Sequence, residues 1–147
     1  GEGYGVSLYA GTALIEANLF DYNRHSITGS GVKGESYEAR YNHVLGHGNA
    51  IGASHFDVHA GGNAYKIHHN TFETVFTSGA VYAIGIQSGV PGSGLWIDHN
   101  IIEWDDKWSN RPVFMPTATK SYISQNMVGI PPTLKTSASG VVMYKSG

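Results

Sequence analysis

Five asparagines recur at nearly even intervals along this chain, and no other feature of the sequence restricts the fold as strongly. They are separated by 24, 28, 30 and 26 residues: Asn18, Asn42, Asn70, Asn100 and Asn126. A small or branched apolar residue lies three positions before each one, and a further apolar residue lies two positions after it. A period of roughly 20 to 50 residues is typical of stacked units that bury their apolar faces only against one another. The chain is therefore predicted to be a solenoid.

The residues before each asparagine follow the two-residue period of a β-strand. Positions five and three before the asparagine are expected to face inward, and positions four and two before it outward. The outward positions form two columns, which read Glu16, Arg40, His68, Asp98, Ser124 and Leu14, Glu38, Lys66, Trp96, Tyr122. Opposite charges in successive repeats, as in Glu16 with Arg40 and Glu38 with Lys66, favour this register.

A second strand-like segment lies between successive frames, with alternating apolar residues such as Phe56 and Val58 or Ile84 and Ile86. Glycine-rich turns separate the two segments, and helical periodicity is missing. Asparagine suits the corner because it tolerates a left-handed backbone and can hydrogen-bond to the same residue in the next coil. These patterns predict an all-β fold, a right-handed single-stranded parallel β-helix of about five coils.

The chain length of 147 residues favours a single β-helix domain over 1–147. The first ten residues begin in the middle of the pattern without a polar cap. We therefore expect either a fragment of a longer protein or a contact of the N-terminal coil with another subunit or domain. Pro131 and Pro132 break the repeat, so 130–147 is expected to be a linker and a last strand at Val141 to Tyr144.

Charge and composition exclude several classes of partner. The net charge is −2 and the nine Lys and Arg residues are scattered, so we expect no nucleic-acid binding. The sequence contains no apolar run of about 18 residues, so we expect no membrane insertion. Cysteine is absent, which excludes disulfides and thiolate metal sites.

The repeat resembles that of right-handed parallel β-helix proteins in the broad pectate-lyase-like superfamily, which are frequent among surface and secreted proteins of archaea and bacteria. The segments that carry the resemblance are 24–31, 37–42, 55–59 and 67–72. The resemblance implies an extracellular or cell-surface protein directed at polysaccharides. It says little about activity, since one fold hosts many functions. Pectate lyases typically hold calcium with clustered acidic residues, and this sequence departs from that pattern.

The strongest candidates for chemistry are His55, Asp57 and His59, which alternate along one predicted strand and are expected on the same outer face. In register, Arg24, His25 and Thr28 would lie on the coil before and Gln87 on the coil after. An arginine can neutralise a uronate carboxylate while a histidine takes a proton near neutral pH. The predicted catalytic set is Arg24, His25, Arg40, His55, Asp57 and His59.

Two other interpretations of the same strand stay open. His55, Asp57 and His59 could bind a divalent metal ion, although no cofactor is required by the sequence. Alternatively, the three residues form a structural polar ladder across coils. His69 and His99, which share a frame position, are predicted to stack at a corner with a structural role, and His68, His43 and His47 are weaker candidates.

Aromatic residues suggest a surface for sugar rings, whose apolar faces stack on aromatic side chains. Trp104 and Trp108 flank an acidic loop, and Trp96 and Tyr122 occupy neighbouring outward positions. The alternative is that the loop folds its own aromatics back over the solenoid.

The predicted function is a polysaccharide-directed enzyme, lyase-like or hydrolase-like. The alternatives are a non-catalytic carbohydrate-binding module and a structural surface or filament protein, in which coils continue through subunit ends.

Overall fold

The computed structural model describes residues 3–45, 47, 54–73, 82–104, 112–129, 135–136 and 143–146. These residues form β-strands joined by turns, without a helix among them. The strands are β1 (Tyr4–Leu8), β2 (Thr12–Glu16), β3 (Leu19–Phe20), β4 (His25–Gly29), β5 (Ser36–Arg40), β6 (His43–Val44), β7 (Ser54–Val58), β8 (Ala64–His68), β9 (Thr71–Phe72), β10 (Tyr82–Ile86), β11 (Gly94–Asp98), β12 (Ile101–Glu103), β13 (Val113–Pro116), β14 (Ser121–Ser124), β15 (Met127–Gly129), β16 (Lys135–Thr136) and β17 (Met143–Ser146).

From β1 to β15 every third strand joins the same sheet, so the chain winds around three sheets. Sheet A has the order β1-β4-β7-β10-β13-β17, sheet B has β14-β11-β8-β5-β2, and sheet C has β16-β15-β12-β9-β6-β3. All described pairings are parallel except that of β15 with β16. The protein is therefore a parallel β-solenoid, as the repeat predicted.

Three coils have a parallel neighbour on both sides in every sheet, namely β4–β6, β7–β9 and β10–β12. Strands β1–β3 and β13–β15 are the outer sets of the described stack. The prediction of about five coils counted every asparagine frame as a coil. About three are complete in this sense, because within the described residues β1–β3 lack a parallel neighbour on one side in every sheet, and β14 and β15 lack one in sheets B and C.

The register of sheet B agrees with the predicted columns at every position. Leu14, Glu38, Lys66, Trp96 and Tyr122 are Cα partners in successive strands. Arg40 Nε donates to Glu16 Oε2 at 2.7 Å, as expected. Glu38 pairs with Arg40 at 3.1 Å and with His68 at 3.3 Å. No ion pair with Lys66 occurs among the residues that the structure describes.

Apolar side chains from all three sheets meet in one central core. Sheet B contributes Ile15, Ala39, Ile67 and Ile97, and sheet C contributes Phe20, Val44, Phe72 and Ile102. The Tyr37 and Tyr65 rings lie 4.8 Å apart, one coil above the other. Since each coil covers the apolar face of the next, the core is continuous along the stack.

The five asparagines form a hydrogen-bonded ladder at the corner between sheets B and C. Nδ2 of each of the first four donates to Oδ1 of the asparagine in the next coil at 2.9–3.0 Å. The positive φ at this corner belongs to the preceding residue, such as His69 at 55° or His99 at 52°. The asparagines therefore act through hydrogen bonds, and the expectation that they supply the left-handed backbone was wrong.

The C-terminal part contains the expected additional strand. Strand β17 (Met143–Ser146) pairs in parallel with β13, so it overlaps the predicted strand at Val141 to Tyr144. Residues 130–134, 137–142 and 147 lie outside the described residues. A contact of the N-terminal coil with another subunit or domain stays a prediction. The described ranges contain no helix with the length and hydropathy needed to cross a bilayer.

Candidate functional site

The strict alternation of side chains is interrupted in strand β7. The rings of His55 and Phe56 both lie near Phe72 in the core, with centroids 6.4 and 4.8 Å away. Successive residues of a regular strand point to opposite faces, so these two break the pattern. Strand β1 has the same feature, since a Cβ at Gly5 would lie 2.8 Å from the Phe20 ring although Val6 also packs against the core.

His55 therefore does not join the outer cluster that the sequence predicted. It is 1% exposed, and burial, together with the nearby His25, lowers the pKa of His55 to about 4. A histidine with this pKa is neutral at pH 7 and belongs to the core. The prediction that His55, Asp57 and His59 share one outer face was wrong for His55.

Asp57 and His59 form a pair at the surface of sheet A. Nε2 of His59 lies 2.8 Å from Oδ2 of Asp57, and the His59 side chain is 52% exposed while that of Asp57 is fully buried. Gln87 Nε2 donates to Asp57 Oδ1 at 2.7 Å. Thr28 Oγ1 is 3.5 Å from Oδ2. Thr28 and Gln87 come from the coils before and after, as the predicted register required.

His25 completes this cluster from the preceding coil. Its Nδ1 lies 2.7 Å from the carbonyl oxygen of Ser54, to which it donates. The His25 and His59 rings are 5.9 Å apart at an angle of 73°. One ligand-type atom each of His25, Asp57 and His59 lies within 4.8 Å of the others. We call these three residues the sheet A triad.

The carboxyl group of Asp57 is in an unfavourable electrostatic environment. Burial raises the pKa of Asp57, while the hydrogen bond from Gln87 and the nearby His25 and His59 act to lower it. A buried carboxylate is stabilised only by hydrogen bonds and positive charge. Asp57 therefore favours a proton or a cation at the position between it and the two imidazoles.

The two arginines of the predicted catalytic set do not share one location. Arg24 is exposed and immediately precedes His25, so it lies at the N-terminal end of strand β4 in sheet A. Arg40 lies on β5 in sheet B, where it pairs with Glu16 and Glu38. Because sheets A and B are different faces of the solenoid, Arg40 is not part of the triad, and its predicted place in that groove was wrong.

The predicted aromatic platform is only partly formed by the described residues. Trp96 and Tyr122 stack with ring centroids 5.1 Å apart and an interplanar angle of 11°. Trp104 is 4% exposed and belongs to the core, so it cannot stack on a ligand at the surface. Trp108 lies outside the described residues. The exposed Tyr122 and the half-buried Trp96 remain as an aromatic pair on sheet B.

The same outer face of sheet B carries a shallow groove beside the aromatic pair. Its volume is about 410 Å³, and its polar and charged lining includes Thr12, Ser36, Glu38, Arg40 and Lys66. Lys66 lies between Glu38 and Trp96 in the register of the sheet. The groove and the aromatic pair therefore form one continuous surface, separate from the sheet A triad.

The remaining histidines have structural or local partners. His69 and His99 stack at the corner with centroids 4.8 Å apart, which confirms the predicted stacking. His99 Nδ1 also lies 2.7 Å from Asp98 Oδ2. His47 bonds to Asp21 at 2.8 Å, and His43 contacts Glu73.

One buried carboxylate was not foreseen from the sequence. Glu35 is 0% exposed and accepts hydrogen bonds from the Ser30 hydroxyl at 2.7 Å and the Gly31 amide at 2.9 Å, as well as from Ala10 and Tyr65. It connects the turns between sheets A and B, so its role is structural. The Ser54 carbonyl that orients His25 was missed too, because a backbone acceptor leaves no signal in the sequence.

The fold and the triad define the chain as a parallel β-solenoid with a His-Asp-His cluster on one sheet. No protein-family model, no curated protein and no solved structure matches the chain with significant similarity.

Proposed function

We propose that this protein is a polysaccharide-directed β-solenoid of the extracellular space or cell surface, with lyase-like or hydrolase-like activity. Its winding would be right-handed, as in the pectate-lyase-like superfamily that its repeat resembles. The observation that carries the proposal is the pairing of the half-exposed His59 with the fully buried Asp57.

This pair has the arrangement needed for acid–base chemistry. When Nε2 of His59 donates its hydrogen to Asp57, Nδ1 keeps a lone pair that can accept a proton. The buried carboxylate then stabilises the imidazolium that forms. In an elimination, His59 would take the proton from the carbon beside a uronate carboxylate, a carbon–carbon double bond would form, the bond from the next carbon to the glycosidic oxygen would break, and that oxygen would take a proton from solvent water. In a hydrolysis, His59 would take a proton from the water whose oxygen bonds to the anomeric carbon, the bond from that carbon to the glycosidic oxygen would break, and the departing oxygen would take a proton from solvent water.

The neighbouring residues support a polar, anionic substrate. The exposed Arg24 precedes His25 and would supply the positive charge that a uronate carboxylate requires. Asp57 is buried, so its charge is directed at His59 and not at the substrate. A sugar chain along sheet A would cross successive coils and meet repeated hydrogen-bonding groups such as Gln87.

A second candidate function is non-catalytic carbohydrate binding on sheet B. The stacked Trp96 and Tyr122 favour it, because the apolar faces of sugar rings pack on exposed aromatic rings. Lys66 and Arg40 in the adjoining groove would contact acidic groups of the same polymer.

The experiment that separates the two functions uses a panel of acidic and neutral polysaccharides. Ultraviolet absorbance detects the unsaturated product of elimination, and a reducing-sugar assay detects hydrolysis. We expect turnover by the wild type and its loss in His59→Ala, with His99→Ala, at the corner between sheets B and C, as the matched control. Binding without turnover would reject the enzyme and favour the module. Neither binding nor turnover on any polymer would reject both.

A further inference from the structure

The sheet A triad has the composition and spacing of a metal-binding site. Two imidazoles and one carboxylate place their ligand-type atoms within 4.8 Å of one another. Ligands of one first-row ion at roughly 2.0–2.2 Å from the metal are separated by about 3–3.5 Å, so small side-chain rotations bring all three into range. We propose that His25, Asp57 and His59 bind one divalent transition-metal ion, with Zn²⁺ as the preferred class.

His25 is held in the orientation that a metal ligand needs. Its Nδ1 donates to the Ser54 carbonyl at 2.7 Å, which leaves Nε2 as the atom with a lone pair. Metal-binding histidines almost always donate their second ring nitrogen to such an acceptor. This contact therefore fixes the tautomer and the direction of the ring before any ion arrives.

Asp57 is oriented in a similar way. Gln87 donates to Oδ1 at 2.7 Å, so Oδ2 is the oxygen that faces Nε2 of His59 at 2.8 Å. At this distance the two atoms share one hydrogen-bonding proton. A divalent ion would replace that proton and neutralise a carboxylate that burial otherwise disfavours.

The geometry of the two rings is also compatible with a shared ion. The planes of His25 and His59 meet at 73°, so a single position can lie near both ring planes. The parallel rings of His69 and His99, at 6°, do not have this property, although with Asp98 they form a second group whose ligand-type atoms lie within 4.8 Å of one another. The exposed His59 gives the ion a path from solvent and leaves room for an additional ligand.

The ligand types determine which ions are expected. Two imidazoles with one carboxylate suit Zn²⁺, Co²⁺, Ni²⁺ or Cu²⁺, whereas Ca²⁺ and Mg²⁺ prefer sets of oxygen ligands. This ligand set differs from the predicted set of His55, Asp57 and His59, since His25 replaces the buried His55. Ion binding does not depend on the proposed function, because it is measured directly and needs no polysaccharide.

The test is a binding titration of the full chain after treatment with a chelator. Co²⁺ is followed by its visible absorption and Zn²⁺ by calorimetry. We expect one ion per chain, a more than tenfold loss of affinity in His59→Ala and in Asp57→Asn, and unchanged binding in His99→Ala. Circular dichroism and the melting temperature check that each variant is folded. His59→Ala decides the outcome if Asp57→Asn does not fold, because the His59 side chain is half exposed.

Three results would overturn the inference. The first is no binding of Co²⁺ or Zn²⁺ by the wild type. The second is equal affinity in the wild type and His59→Ala. The third is loss of the ion in His99→Ala alone, which would place it at the corner. Polysaccharide turnover measured in the presence of a chelator then tests the proposed function separately, because an ion on Nε2 of His59 leaves the hydrogen on Nδ1 and removes the base. Ion binding without turnover in the chelated protein leaves the metal site intact and rejects only the enzyme.

Discussion

Nε2 of His59 lies 2.8 Å from Oδ2 of Asp57. The His59 side chain is 52% exposed, whereas that of Asp57 is fully buried. The exposed imidazole can reach a ligand, whereas the buried carboxylate can act only through its neighbours. A charge that is excluded from water interacts more strongly with an adjacent group than a solvated one does. This difference is the reason that the pair, and not either residue alone, carries the functional proposals.

Substitution of His59 and of His55 by alanine should give opposite results. His59→Ala removes a half-exposed ring but also one hydrogen-bond partner of the buried Asp57, so we expect loss of turnover with a stability loss of about 1–2 kcal/mol. His55→Ala leaves a cavity beside Phe72 and should cost about 2–4 kcal/mol. Denaturant unfolding and the polysaccharide assay measure the two effects. Similar stability losses in both variants would contradict the placement of His55 in the core and His59 at the surface.

The stability of the protein should fall in mild acid because of His55. Its pKa is lowered from 6.5 to about 4, so the unfolded chain takes up this proton at a higher pH than the folded one. The contribution is fully present above pH 6.5 and is lost progressively as the pH falls towards 4. Between pH 7 and 4.5 it should amount to about 2–3 kcal/mol.

His55→Leu provides the control for this pH effect, because leucine fills much of the same space and does not titrate. The quantity to compare is the pH dependence of the unfolding free energy in the wild type minus that in the variant. Other groups that titrate in this range cancel in the difference. Identical slopes in the two proteins would show that His55 is not the group responsible.

The asparagine ladder predicts a dependence of stability on position in the stack. Asn70 is 1% exposed and bonds to asparagines on both sides, whereas Asn18 is exposed and has a ladder partner on one side among the described residues. Asn70→Ala leaves buried amide and carbonyl groups without partners and should cost about 2–4 kcal/mol, against less than about 1 kcal/mol for Asn18→Ala. Thermal unfolding compares the two, and an equal cost would mean that burial of the ladder is not what matters.

Substitution of Trp96 should affect polysaccharide binding, whereas substitution of Trp104 should affect the stability of the fold. Trp96→Ala should weaken polysaccharide binding on sheet B with little effect on stability, since its ring stacks on the exposed Tyr122. Trp104→Ala should cost about 3–5 kcal/mol because Trp104 is buried in the core. Affinity electrophoresis and unfolding curves measure the two properties. Unchanged binding in Trp96→Ala would argue against sheet B as the carbohydrate surface.

The repeat allowed sheet B to be predicted residue by residue. The frame around each asparagine is constant, so the pairing of Glu16 with Arg40 and the stacking of His69 on His99 could be derived from spacing alone. The register of sheet A was harder to predict, because the number of residues between successive asparagine frames varies and the turns before its strands differ in length. The position of His55 could not be predicted, since a local break in alternation leaves no trace in the apolar pattern.

The sequence by itself determined the solenoid, its asparagine corner and the strands that carry His25, Asp57 and His59, because these depend on periodicity and on the chemistry of single side chains. Only the tertiary structure decided which polar residues meet. In the structure, His55 lies in the core, Arg40 lies on sheet B, and His25 donates a hydrogen bond to the Ser54 carbonyl. The physical reason is that strand parity and coil stacking bring together residues about 30 positions apart, and one interrupted alternation is enough to exchange the inner and outer faces.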